Sequence, residues 1–109
     1  MTEANRGTEI MNLFPAAFYA TKSTSMNSVE FSTVGENEVS FTCTCSNTGR
    51  PLIVTIKINV DNFAIAKIQN GKNIHTAGFV PARVITQEVV EDLVMAISNQ
   101  IDEMFFLEI

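Results

Sequence analysis

The chain has no tryptophan, one histidine and two cysteines among its 109 residues, and each scarcity closes off a class of chemistry. His75 is the single imidazole, so any acid–base or metal scheme built on imidazole must pass through it. Its neighbours are Ile74 and Thr76, and no carboxylate stands within several residues. We read it as a structural or exposed histidine. The enzymatic alternative needs the fold to bring Asp61 or Glu30 beside it. Cys43 and Cys45 with His75 fall short of the roughly four donors of a zinc site, so no metal is expected. "NGKN" lacks both the earlier glycine and the following Ser or Thr of a phosphate-binding loop, and no cofactor is expected either. No apolar run reaches the roughly 18 residues that a membrane-spanning helix needs. The polar start, "MTEANRGTEI", lacks the basic-then-apolar order of a secretory signal. These absences lead us to expect a cytoplasmic protein with no membrane partner, in the host cytoplasm if its source is a virus.

What is present is an alternating middle. "SVEFSTV" sets Val29, Phe31 and Thr33 against Glu30 and Ser32. "EVSFTCTC" sets Val39, Phe41, Cys43 and Cys45 against Ser40, Thr42 and Thr44. "LIVTIKINVD" sets Leu52, Val54, Ile56, Ile58 and Val60 against Thr55, Lys57, Asn59 and Asp61. Period two in three consecutive segments, with "GEN" and "NTGRP" between them, predicts an antiparallel meander with one wet face. Both cysteines then point into the core as small apolar residues. They lie too far apart along an extended strand to bridge. Single-strand nucleic-acid sheets carry aromatics on the wet face. Here Phe31 and Phe41 fall on the apolar side, which leaves that function as a minor alternative.

Helical spacing flanks the meander. Ile10, Leu13, Phe14, Ala17 and Phe18 predict a first helix capped by Thr8, with Pro15 either kinking it or opening a new turn. Residues 21–28 read as a linker. At the other end Thr86 caps a long helix whose core stripe is Val90, Leu93, Ile97, Ile101 and Met104, with Val94 and Phe105 beside it. Between meander and last helix, Asp61 caps a short helix carrying Phe63, Ala64, Lys67 and Ile68 and closed by Gly71. The alternative is a hairpin turning at Asn70-Gly71. It would set Lys67 opposite Ile74 and Ile68 opposite Asn73, mixing polar with apolar on both faces. We therefore expect the helix, then a strand over residues 74–80.

Together these elements predict one α+β domain over residues 8–109, preceded by a flexible arm over residues 1–7. The sheet is an antiparallel β-meander of about four strands, with the N-terminal and long C-terminal helices on its apolar face. The order helix, three strands, short helix, strand, helix resembles that of small acidic secretion chaperones. That resemblance implies a dimer that binds another protein, and it assigns no residue a role.

The net charge of −5 is uneven. From Thr86 onward there are six acids and no Lys or Arg, whereas residues 1–85 carry seven basic and six acidic groups. That distribution argues against duplex nucleic acid. The closing stretch "MFFLEI" is rich in large apolar side chains. We expect Phe105, Phe106, Leu107 and Ile109 to anchor a partner, with Glu103 and Glu108 at the rim. The expected function is a non-enzymatic protein-binding module of the inhibitor, adaptor or chaperone type, a homodimer acting by occlusion. A virus-encoded antagonist of a host protein belongs to this class. The alternatives are a small enzyme using His75 or a single-strand binder.

Overall fold

Alternation makes the middle of the chain a sheet, and the sheet takes in more of the chain than the alternation alone marks. The computed structural model describes residues 5–105. Its elements, in order, are α1 (Arg6–Thr21), β1 (Met26–Val34), β2 (Glu38–Cys45), β3 (Pro51–Ile58), β4 (Phe63–Asn70), β5 (Asn73–Pro81) and α2 (Gln87–Met104). The strands form one antiparallel sheet in sequence order. Both helices pack on the same side of it, so the domain is α+β as expected, with five strands rather than about four.

The extra strand comes from the segment expected to be a short helix. Residues 63–70 are β4, paired with β5 through a two-residue turn at Gly71-Lys72. The register sets Asn70 against Asn73, Ile68 against His75 and Lys67 against Thr76. The turn sits one residue later than Asn70-Gly71, which moves each partner by two positions: Lys67 now faces Thr76, while Ile68 faces His75 and Gln69 faces Ile74, so the mixing of polar with apolar held against a hairpin does not prevent one. Gly71 has φ 61° while Lys72 keeps a negative φ, the pattern of a turn with glycine at its first central position. Asp61 caps nothing helical. The Asn59 carboxamide instead accepts the Asp61 and Phe63 amides, each at 3.0 Å, and Asn62 takes φ 64° to close the β3–β4 turn. The secretion-chaperone element order depended on that helix, so the resemblance does not extend to the observed order of helix, five strands, helix.

Side chains from the inner sheet face meet the two helices. Val39, Phe41, Cys43 and Cys45 of β2, Leu52, Val54, Ile56 and Ile58 of β3, and Ala64, Ala66 and Ile68 of β4 are buried. From α2 come Val90, Leu93, Ile97 and Ile101 of the predicted stripe and Val94 beside it, with Met104 only partly covered. Thr86 caps α2 by accepting the Val89 amide at 3.3 Å. Helix α1 starts two residues before Thr8: Asn5 is the cap, accepting the Thr8 amide at 2.9 Å. The helix then runs through Pro15 to Thr21 without a second start. Beneath it Phe14, Phe18, Phe31 and Phe41 form an aromatic cluster with centroid separations of 5.1–5.8 Å.

Two features join the layers at their ends. The Arg6 guanidinium donates to the Asn37 side chain at 2.9 Å, the Asn62 side chain at 2.8 Å and the Ala82 carbonyl at 3.3 Å. One residue thereby ties the start of α1 to the β1–β2 turn, the β3–β4 turn and the exit of β5. At the opposite end, the Ser23 and Ser98 hydroxyls meet at 2.6 Å and Ser25 donates to Asp102 at 2.7 Å.

Candidate interaction surface

The outer face of the sheet is not uniformly wet. On β2 it carries Ser40, Thr42 and Thr44, as the alternation predicts. Thr55 and Lys57 also lie outward, and Ser40 and Thr55 share a hydroxyl contact at 3.2 Å. Toward β4 and β5 the face turns apolar. Strand parity sends Ala64, Ala66 and Ile68 inward, so Phe63, Ile65, Lys67 and Gln69 must point outward. Register then sets Ile65 against Phe79, Phe63 against Pro81 and Gln69 against Ile74. Ile53 closes the patch on β3, opposite Gln69.

The result is a run of large apolar side chains in water: Ile53 45% exposed, Phe63 38%, Ile74 63% and Phe79 65%. Phe63 and Phe79 stack edge to face at 6.4 Å, which holds one end of the patch in a defined shape. The other end is a shallow cavity of about 440 Å³ lined by Ile53, Ile65 and Ile74 with Thr55, Lys57 and Lys67. A bulge at Ala77 lets Phe79 share this face, because the register slips between Ala66 and Lys67.

A second apolar concavity, about 530 Å³, opens between α1 and the edge strand β1. Met11, Phe14, Pro15, Phe18, Val29 and Phe31 line it. Strand β1 carries two register slips, and Ser28 sits at φ 57°. The second slip turns Thr33 outward, opposite Ser40, instead of inward with Phe31. Bulges of this kind twist an edge away from further strand pairing.

The residues singled out from sequence are spread through the fold. Cys43 and Cys45 are free and buried on the inner face of β2. Burial pushes the Cys43 thiol up to about 11, with the neighbouring Cys45 adding to the rise, so Cys43 holds its proton at neutral pH. His75 is half-buried on the inner side of β5, opposite Ile68. Asp61 lies at the other end of β4, and Glu30 lies on β1 at the far edge of the sheet, so neither is brought to the imidazole. Among the described residues no three His, Cys, Asp or Glu side chains are grouped to hold a metal ion. No described helix is long and apolar enough to cross a membrane.

Of the expected partner anchors, Phe105 is 2% exposed and belongs to the core, with the Arg50 guanidinium 5.9 Å above its ring. Glu103 is exposed on the last turn of α2. Phe106, Leu107, Glu108 and Ile109 lie outside the described residues. The patch on β3–β5 was missed because the inward positions of β4 are alanines. Ala64 and Ala66 give little hydrophobic contrast with Phe63 and Ile65, which hides the period of two. The signal that reveals it is the pairing of Ile65 with Phe79 once Gly71-Lys72 is taken as the turn.

Comparison with known proteins finds no matching family model, no similar curated protein and no similar solved structure.

Proposed function

We propose that this protein is a non-enzymatic protein-binding module, and that its contact surface is the outer face of β3–β5. The observation that carries the reading is the contiguous exposure of Ile53, Phe63, Ile74 and Phe79 on one side of a sheet whose other side packs against the two helices. The inner face already supplies a continuous core, so these outer side chains add little to folding. A contiguous exposed apolar patch of this kind marks an interaction site. Pairing of β3 and β4 on both sides, and of β5 along β4, holds it in a defined shape, so little ordering entropy is lost when a partner docks. Inhibitor, adaptor and chaperone-type roles all use such a surface by occluding a partner's own.

The test isolates a partner from the organism that makes the protein, purifies it, and measures its affinity for wild type and for the Ile74→Glu/Phe79→Glu variant. Circular dichroism confirms that the variant folds. The expected result is a loss of affinity of at least about a hundredfold, since two central apolar contacts are replaced by charge. Unchanged affinity in a folded variant refutes the surface assignment.

A further inference from the structure

The charge on this face identifies the kind of partner segment it fits. None of β3, β4 or β5 contains Asp or Glu, in a chain whose net charge is −5. The charged side chains of the outer patch are Lys57 and Lys67, both exposed, and among the described residues neither makes an ion pair. Lys57 stands opposite Ile65 and Lys67 opposite Thr55, which makes the lysines diagonal neighbours, about 7–8 Å apart at their backbones. Glu38, across from Lys57 on β2, is the nearest acid by register. Two adjacent cations bordered by Ile53, Ile65 and Ile74 ask for carboxylates beside apolar side chains.

We propose that the partner segment is an acidic amphipathic helix laid across β3–β5, an inference that rests on the surface assigned above. Its apolar stripe covers Ile53, Ile65, Ile74 and Phe79, and carboxylates one turn apart on its flank reach Lys57 and Lys67. The face suits a helix more than a strand. The backbone groups of β3 and β4 are paired on both sides, and the one ladder open here, along the outer edge of β5, would add a strand beside the patch and not over it. From β3 to β5 the face spans about 10 Å, close to the width of a helix. A second copy of the same face is disfavoured, because it would bring four lysines together with only the two Glu38 carboxylates, each beside a Lys57, to offset them.

The experiment uses the full chain and two labelled synthetic helical peptides sharing one leucine stripe, one flanked by glutamates and the other by lysines. Fluorescence anisotropy should show the acidic peptide binding at least about tenfold more tightly, with the preference shrinking as salt screens the pair. The preference should vanish in Lys57→Gln/Lys67→Gln and reverse in Lys57→Glu/Lys67→Glu. Equal binding of both peptides, lost in Ile74→Glu/Phe79→Glu, keeps the surface and overturns the acidic partner. Acidic binding that survives both lysine variants overturns it as well. If neither peptide binds, the acidic helix is overturned, while the surface is judged by its own partner measurement. Decanoate bound at Lys57 and Lys67, with neither peptide bound, assigns the cavity to a small carboxylate and likewise overturns the helix.

Discussion

Ile68 and Ile74 face each other's strands on the β4–β5 hairpin but belong to opposite sides of the sheet. Ile68 pairs with His75, and Ile74 is the residue before it. Ile68 is 0% exposed, whereas Ile74 is 63% exposed, so only about a third of its surface is covered. Truncating a fully buried isoleucine removes its transfer energy and leaves a cavity, which costs about 3 kcal/mol. Replacing Ile74 by threonine keeps the β-branch and forfeits only a fraction of one side chain's burial, which costs under about 1 kcal/mol. For a domain of this size each kcal/mol moves the midpoint by about 4–8 °C. Thermal melts followed by circular dichroism should therefore place Ile68→Ala about 12–24 °C below wild type and Ile74→Thr within a few degrees of it. If Ile74→Thr falls as far as Ile68→Ala, the outer face is holding the fold or is covered in the isolated protein. The argument that its apolar residues serve a partner then fails.

Other substitutions probe the scaffold. A Cβ on Gly7 would meet the Glu38 carbonyl oxygen at 2.8 Å and the Gly35 carbonyl closer still, both rigid backbone atoms. The overlap outweighs the helix propensity gained, so Gly7→Ala should lower stability by about 1–3 kcal/mol in urea titration. Arg6→Met keeps the stem and deletes three hydrogen bonds at once, two of them to side chains in turns. The loss should be about 1–3 kcal/mol, with amide exchange rising in both turns before it rises in the strands. Cys43 should resist aromatic disulfide reagents at pH 8 in the native state and react at once in denaturant, because burial raises its thiol to about 11. The sign of the pH effect follows: between its ordinary value and about 11 the unfolded chain has lost a proton that the folded chain keeps. Stability should therefore decline with rising pH over that window, and Cys43→Ala should decline less steeply.

Sequence by itself determined the inner half of this protein. Apolar residues recurring every second position in β2 and β3, and at helical spacing in α2, each have one way to reach a common core. Their burial, down to both cysteines, was legible residue by residue, except at two ends: Val60, which continues the alternation of β3, lies past the strand and is 96% exposed, and Met104 is only partly covered. Three things waited for the tertiary structure. The β4–β5 hairpin depended on a turn centre one residue along, which moves each partner by two positions, and on the bulge at Ala77, a one-residue slip that exchanges the two faces of β5 beyond it. The inward turn of Phe105 depended on where α2 ends against the sheet, which no local pattern specifies. The outer patch of Ile53, Phe63, Ile65, Ile74 and Phe79 exists only because three strands with separate sequences stand side by side. Local periodicity reports which way one strand faces. Which side chains become neighbours across strands is decided by pairing, and pairing is a property of the folded chain.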